Sequence, residues 1–139
     1  AFIERLNAMP GGGGFRLPAE AEWEFAARAG AGADAAFELL EPRPVGKGGA
    51  NPLGLHDLFG NVWEWCSSLD VPYPYRPADG RESLSAPGMR IVRGGGYFDV
   101  PEWITPSLRH GERPERKLPW IGFRLARDAQ GASQTNSRP

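Results

Sequence analysis

The alternation of apolar and polar positions predicts one well-formed helix, over residues 19–30. Pro18 suits the first turn of a helix, and acidic residues collect near the N-terminal end, where the helix dipole favours them. The residues that recur at helical spacing, and so predict the buried stripe, are Trp23, Ala26 and Ala27. Glu20 and Glu24 lie outside this stripe, so we interpret them as an ordinary solvated face.

Three other segments have a period that predicts regular structure. Residues 1–9 place their apolar side chains on one face of an amphipathic helix. Residues 90–93 alternate in the manner of a short strand. Residues 120–126 predict the last strong strand, in which Ile121, Phe123 and Leu125 share an apolar face.

Residues 54–66 hold the densest concentration of chemistry in the chain. They combine large aromatic side chains, which anchor cores, with a Gly60-Asn61 pair that marks a tight turn. Asp57 and Glu64 flank this turn, and their oxygens, joined by free backbone carbonyls, are able to surround a hard cation such as calcium. Alternatively, the two carboxylates only accept hydrogen bonds from turn amides. Spacing alone leaves both interpretations open, because the pattern is not that of an EF-hand.

Length and composition indicate one loop-rich domain. The 139 residues give room for a hydrophobic core. The 16 basic and 17 acidic side chains leave a formal charge of −1, so nothing drives the chain toward nucleic acid or an anionic membrane. The 19 glycines and 14 prolines predict a long surface excursion over residues 70–88 and a close backbone approach at 94–96. No apolar run reaches the length of a membrane span.

Cys66 is the only cysteine, which excludes an internal disulfide and a CxxC zinc site. Its apolar, tryptophan-rich setting predicts a packed thiol rather than a nucleophile. No signal peptide is visible in this chain. Together with the lack of a disulfide, this favours a cytoplasmic location over a secreted one.

Four segments follow one another in a fixed order: RLPAEAEWEFAAR at 16–28, GLHDLFGNVWEW at 54–65, RIVRGGG at 90–96 and IGFRLA at 121–126. In this order they closely resemble the formylglycine-generating enzyme, or sulfatase-modifying factor, superfamily. The resemblance implies an α+β, C-type lectin-like fold with little regular secondary structure, in agreement with the loop-rich composition. It covers about residues 1–127 as the C-terminal portion of such a domain and leaves 128–139 as a polar, disordered tail.

The resemblance also implies that the N-terminal part of the fold is missing, because relatives begin well before the segment that matches residues 1–9. Without that part, sheet edges would be unpaired and the core uncovered. We therefore expect a missing N-terminal segment or a companion chain of the same domain as a partner.

The resemblance bears on catalysis as well. In the enzymes a pair of cysteines shortly after the RGG segment binds copper, and the corresponding positions here are Asp99 and Ile104. Monovalent copper needs sulfur ligands, so neither copper nor formylglycine formation is expected. Sulfoxide synthases of ergothioneine-type pathways share the domain, but their iron histidines come largely from another domain. We interpret His56 as packed in the aromatic motif and His110 as lying in a polar loop, so iron is not expected either.

Calcium is the cofactor that the resemblance favours. In the superfamily a calcium ion lies at the turn within residues 54–66, which we call the aromatic turn. The matching ligands are the side chains of Asp57 and Glu64 and the carbonyls of Gly60 and Val62. We expect a structural rather than a catalytic role for it. A second calcium site of the enzymes would fall within residues 31–50, where the expected residues are lacking.

The first functional hypothesis is a non-catalytic module that binds a protein or a small molecule. Members of this fold without the cysteine pair include variable proteins of diversity-generating retroelements, which display changeable side chains before the final GFR strand. The corresponding region here is 97–120. Its candidate recognition residues are Tyr97, Phe98, Asp99, Trp103, Arg109, His110, Glu112, Arg113 and Trp120. The alternative is that the aromatic residues among them fill the core while the charged ones merely solvate it.

Two other hypotheses stay open. An oxidoreductase of the formylglycine-generating or sulfoxide-synthase type would complete its active site with a missing segment or a fused domain. A structural scaffold domain in a multi-domain signalling or defence protein would keep the fold without binding a ligand.

Overall fold

The computed structural model describes residues 2–30, 41–76 and 78–128, which belong to two compact units. Most of the predicted tail, 129–139, lies outside the described residues. The elements are α1 (Phe2–Asn7), β1 (Phe15–Arg16), α2 (Glu20–Arg28), β2 (Trp63–Leu69), β3 (Arg90–Arg93), a 3-10 helix (Pro101–Trp103), β4 (Arg109–Glu112), β5 (Ile121–Gly122) and β6 (Ala126–Arg127). None of the described helices is long and apolar enough to cross a membrane.

The smaller unit comprises residues 1–16 and 125–139, of which 2–16 and 125–128 are described. Its strands β1 and β6 pair antiparallel. Asn7 links α1 to β1, since Nδ2 donates to the Phe15 carbonyl (2.8 Å) and Oδ1 accepts from the Phe15 N–H (3.0 Å). The helix ends at Asn7, before the predicted limit, and Phe2 and Met9 are exposed. Part of the predicted apolar face is therefore not buried.

The larger unit, residues 17–124, is built on a four-stranded sheet of order β4-β3-β2-β5. Strand β3 pairs antiparallel with both neighbours, whereas β2 and β5 run parallel. Helix α2 contacts β2 and β3. Strand β2 was expected only as part of an aromatic turn, yet it is the longest strand, and the side chains of Glu64, Cys66 and Ser68 alternate into the interior.

Helix α2 confirms the predicted helix. Its N-terminus carries a capping interaction, because Oε2 of Glu22 accepts from the Ala19 N–H (2.8 Å) and so satisfies a backbone group that the helix leaves free. Trp23 and Ala27 are buried, as the helical spacing predicts, and Ala26 packs against the same cluster. The helix therefore supplies one wall of the core.

The hydrophobic core lies between α2, the 54–66 segment and the sheet. Its buried members are Trp23, Ala27, Leu58, Phe59, Cys66 and Ile91. The rings of Trp23 and Phe59 meet edge to face, with centroids 6.3 Å apart. Cys66 is almost completely buried, and this burial raises the pKa of its thiol far above the ordinary value. The prediction of a packed thiol is confirmed.

The predicted strand over 120–126 is only partly correct. The backbone pairs with β2 through Ile121 and Gly122, then leaves the ladder, and pairing resumes in β6. Phe123 and Leu125 are exposed rather than buried together. The reason is that Arg124, between them, reaches across to the carboxylate of Glu64, a long-range contact that strand periodicity does not register.

The glycines after β3 make the close approach that the sequence predicts. Gly94 has a positive φ of 99°, and a Cβ on it would lie 2.9 Å from the Leu58 carbonyl oxygen and 3.2 Å from the Trp23 ring. The Gly94 carbonyl also accepts from the Gly60 N–H (2.9 Å). The aromatic turn and the end of β3 are therefore pressed together where no side chain fits.

We expect Gly94→Ala to lower the free energy of unfolding by about 3 kcal/mol, since it adds overpacking to the cost of a positive φ. Gly46→Ala is the matched control, because Gly46 has a φ of 74° and open space around the added Cβ. It should cost only about 1 kcal/mol. Urea unfolding followed by tryptophan fluorescence measures both, and equal losses would contradict the crowding argument.

Candidate functional site

The segment after the glycines is anchored through Asp99. Its Oδ2 accepts from the Trp63 Nε1–H (2.8 Å) and from the Gly96 N–H (2.7 Å). The Tyr97 N–H donates to the Asn61 carbonyl (2.7 Å). These bonds tie the start of the segment to the aromatic turn, so Asp99 acts here as a structural acceptor.

The other end of the segment is anchored by packing. The side chain of Ile104 lies over Gly95, so closely that a Cβ on that glycine would be 2.6 Å from Cδ1. Ile104 also packs against the core cluster. The superfamily resemblance puts the copper cysteines at Asp99 and Ile104. In this chain Asp99 holds the segment through hydrogen bonds, and Ile104 holds it through apolar packing. A carboxylate and an aliphatic side chain do not fit monovalent copper.

Between these anchors the structure displays apolar side chains to solvent. Trp103 is 72% exposed and Phe98 is 50% exposed, and Val100 lies exposed between them. The alternative that Phe98 and Trp103 fill the core is therefore wrong. The 3-10 helix Pro101–Trp103 presents the Trp103 indole at its end.

Aromatic rings extend this surface across the sequence. Tyr97 and Phe98 meet edge to face at 5.1 Å, and Phe98 meets Trp120 in the same way at 5.9 Å. We call the surface formed by Tyr97, Phe98, Val100, Trp103 and Trp120 the aromatic face. Ring contacts link three of the nine predicted recognition residues, Tyr97, Phe98 and Trp120, and a fourth, Trp103, is exposed on the segment that follows Phe98.

A groove of about 510 Å³ begins directly after the aromatic face in the sequence. Its lining residues are Trp65, Arg116, Lys117, Leu118, Pro119, Ile121 and Phe123. The sequence analysis missed it, because it forms only when Trp65 on β2 and the 116–123 segment are brought together by the parallel pairing of β2 with β5.

His110 lies near the aromatic face but not in a loop. It is exposed on β4, where its ring stacks edge to face on Trp63 at 6.0 Å. His56 is also exposed, with Nδ1 donating to the Gly48 carbonyl (2.7 Å), so its predicted packing inside the aromatic motif is wrong. Among the described residues no three His, Cys, Asp or Glu side chains are grouped to hold a metal ion.

The remaining charged candidates have partners within the chain. Arg116 Nη1 pairs with Glu112 (3.0 Å), whose carboxylate also accepts from the Arg113 N–H (2.8 Å). Arg109, predicted as a recognition residue, turns inward instead. Its Nε donates to Glu20 Oε1 (2.7 Å) and its Nη1 pairs with Asp70 (3.2 Å).

Glu20 is the centre of a buried ion cluster, which corrects its interpretation as a solvated helix face. It is fully buried, and besides Arg109 its Oε1 is paired with Arg93 Nη2 (2.8 Å). Its own backbone N–H donates to Ser68 Oγ (2.8 Å). Glu24, one turn later, pairs with the same Arg93 nitrogen (2.5 Å), and the hydrogen bonds from Arg28 and Arg93 outweigh desolvation and lower its pKa. Helical periodicity alone predicted that both carboxylates face solvent.

The proline-rich 70–88 segment contributes to this cluster, although it was predicted as a surface excursion. It is irregular, as expected, but Arg81 is fully buried, over the Tyr75 ring at 4.4 Å. Arg81 Nη2 donates to Asp79 Oδ2 (2.6 Å) and to the Pro72 carbonyl (3.1 Å). These hydrogen bonds hold the pKa of Asp79 at about 2.

The predicted calcium ligands are engaged by arginines. Glu64 accepts from Arg124 through both carboxylate oxygens (2.5 and 2.7 Å) and from the Trp23 Nε1–H (2.7 Å). Asp57 pairs with Arg43 (3.3 Å) and accepts from the Gly46 N–H (2.5 Å). Carboxylates already bound to guanidinium groups do not fit a calcium ion, which needs six to eight oxygens free to face it. The calcium site itself stays a prediction.

Comparisons with known proteins place this arrangement in context. Residues 33–129 match the family described as sulfatase-modifying factor enzyme 1-like domain. The chain is 32% identical to the hercynine oxygenase of Mycobacterium tuberculosis over 139 residues, covering 83% of this chain and 33% of that protein. It is 28% identical to the formylglycine-generating enzyme of the same organism over 156 residues, covering 83% and 52%.

A solved structure is similar as well. That of Treponema denticola variable protein 1 matches with a TM-score of 0.65 and 27% identity, over 80% of this chain and 46% of that chain. The chain therefore spans about a third of the hercynine oxygenase and about half of each of the other two proteins.

Removing the charge of Glu20 takes away the carboxylate shared by Arg93, which is fully buried, and Arg109, whose side chain is 20% exposed. We expect Glu20→Gln to lower the free energy of unfolding by about 3–5 kcal/mol. The exposed Glu115→Gln variant should change it by less than about 0.5 kcal/mol. Chemical denaturation compares the two, and a small loss in Glu20→Gln would contradict a central role for the cluster.

Acid sensitivity gives a second test of the same region. The folded-state pKa of Asp79 lies below its ordinary value of 3.8. The stabilisation of the folded state by the ionised Asp79 carboxylate is therefore present above pH 3.8 and is lost as the pH falls through about 2. Asp79→Asn should therefore lose stability less steeply than the wild type between these values. Urea unfolding at a series of pH values gives both slopes; parallel slopes would refute the assignment, and Glu115→Gln serves as the control.

Proposed function

The chain belongs to the sulfatase-modifying factor enzyme 1-like domain family. We propose that it is a non-catalytic binding module whose aromatic face receives a ligand. The predicted α+β, C-type lectin-like fold of formylglycine-generating enzymes is confirmed with the membership. The family also contains enzymes, so membership alone does not choose between binding and catalysis.

The observation that carries the proposal is the exposure of Trp103 and Phe98 on a segment that is otherwise firmly anchored. Large aromatic side chains exposed to solvent are costly in water and are enriched at the centres of binding interfaces. Here Trp103 lies between the anchors at Asp99 and Ile104 and Phe98 directly precedes Asp99, so the surface is held in shape before a ligand arrives. Such preorganisation lowers the entropic cost of binding.

The residues at the two anchor positions support a non-catalytic role. Formation of a copper-thiolate centre requires sulfur ligands, and the only cysteine of the chain, Cys66, is at neither anchor position and is buried in the core. Asp99 is committed to the Trp63 indole and to the Gly96 amide. A side chain that accepts two structural hydrogen bonds is poorly suited to act as a general base.

The chemistry of the surface favours a ligand with apolar groups. The rings of Phe98 and Trp120 meet edge to face, and the groove lined by residues on either side of Trp120 in the sequence adds the Trp65 indole and the Phe123 ring. Arg116 and Lys117 line the same groove, and Lys117 has no ion-pair partner among the described residues. A peptide with aromatic or aliphatic side chains matches this combination.

A second candidate function is an oxidoreductase completed by another segment or domain, supported by two relatives that are named as an oxygenase and a formylglycine-generating enzyme. The full-length parent protein separates the two. Thiol-dependent oxygen consumption after addition of copper or iron would support the enzyme, and its absence together with ligand binding would support the module.

We expect Trp103→Ala to abolish enrichment of peptides from a random phage-displayed library selected on the purified wild-type chain. The physical reason is loss of the largest exposed apolar surface of the aromatic face. Phe25→Ala is the matched control, because Phe25 is 74% exposed on α2, outside the aromatic face, and its removal should leave enrichment unchanged.

Thermal unfolding accompanies the selection. Both variants should unfold within about 2 °C of the wild type, since both side chains are mostly exposed. No enrichment on the wild type, equal enrichment on Trp103→Ala, or a large loss of stability in that variant would overturn the proposed function.

A further inference from the structure

We propose that the aromatic turn is held closed by two guanidinium groups, from Arg124 and Arg43, which take the place of the calcium ion expected there. The proposal concerns the turn at residues 56–64 and is independent of ligand binding at the aromatic face. It rests on the partners of the two carboxylates, Asp57 and Glu64, that a calcium ion would need.

Arg124 holds the carboxylate of Glu64 in a bidentate pair. Nε donates to Oε2 (2.5 Å) and Nη2 donates to Oε1 (2.7 Å). Oε2 accepts a further hydrogen bond from the Trp23 indole (2.7 Å). The Glu64 side chain is 9% exposed, so this fork-to-fork pair lies largely out of solvent, where its geometry is most effective.

The same guanidinium collects the backbone oxygens of the turn. Nη2 of Arg124 also donates to the carbonyls of His56 (3.0 Å) and Asp57 (3.3 Å). A carboxylate and two carbonyls directed at one positive group are the kind of hard oxygen set that a cation site uses. Here the positive group is already part of the chain.

Arg43 performs the corresponding role for Asp57. Its Nη2 pairs with Asp57 Oδ1 (3.3 Å), while Oδ2 accepts from the Gly46 N–H (2.5 Å). The Arg43 backbone is fixed in turn by Asn61, whose Oδ1 accepts from its N–H and whose Nδ2 donates to its carbonyl. Asp57 and Asn61 both adopt positive φ, and the hydrogen bonds of their side chains hold these left-handed residues in place.

The charges of the turn then balance without a metal. Two carboxylates face two guanidinium groups, and a divalent cation placed among the same oxygens would lie beside the Arg124 charge. Two like charges a few ångströms apart repel strongly in a partly buried setting. Calcium binding would require Arg124 to leave, with the loss of four hydrogen bonds.

The test combines a metal titration with one substitution on the full chain. EDTA-treated wild type should unfold at the same temperature, within about 1 °C, in EDTA and in calcium chloride, and titration with calcium chloride should give no saturable heat. Arg124→Met should lower the melting temperature by about 10 °C, because it leaves Glu64 buried and unpaired.

Arg28→Met is the matched control for the substitution. Arg28 also pairs with a glutamate, Glu24, but its side chain is 61% exposed, so its loss should shift melting by no more than about 2 °C. Saturable calcium binding by the wild type, a clear rise of its melting temperature in calcium, or equal shifts in the two variants would each overturn the proposal. If Arg124→Met does not fold, the wild-type titration decides alone.

Discussion

The buried carboxylate of Glu20 is the interaction on which the larger unit depends. It lies where helix α2, strand β3 and strand β4 meet, and it pairs with Arg93 and Arg109 at hydrogen-bond distance. Taking these charges out of water is costly, and the cost is offset only when every charge finds its partner. The cluster therefore permits one relative placement of these elements and penalises others, in a unit where much of the backbone is irregular.

The same cluster holds the aromatic face in position. Arg93 Nη1 donates to the carbonyls of Pro106 and Leu108, which follow the exposed segment in the chain. Asp99 fixes the other side through the Trp63 indole. The exposed side chains of Phe98 and Trp103 thus belong to a segment whose flanks are attached to the ion cluster and to the aromatic turn. Rigid flanks around an apolar surface favour binding, because little conformational entropy is then lost on association.

Local pattern in the sequence was sufficient for α2, β3 and the packed Cys66, because each depends on spacing within a few residues. It failed for Glu20, since helical periodicity assigns a charge outside the apolar stripe to solvent. Its arginine partner on β4 lies 89 positions away and cannot be read from such a pattern. The strand over 120–126 failed for a related reason, as Arg124 leaves the ladder to reach a residue 60 positions earlier. The family resemblance identified the fold, but the partner of each carboxylate had to come from three-dimensional geometry.

The positions that match the superfamily's copper cysteines and its calcium ligands carry side chains that are engaged by other groups of this protein. At the copper positions, Asp99 and Ile104 anchor the segment that presents the aromatic face. At the calcium turn, Arg124 is bound to Glu64. Arg124 lies two residues after the end of β5, so the pairing of β5 with β2 and the closure of the turn reinforce each other. On our proposals, the domain would then keep both its turn and its binding face without any ion, and its ligand affinity would depend on packing and on the shape of the aromatic face rather than on metal supply.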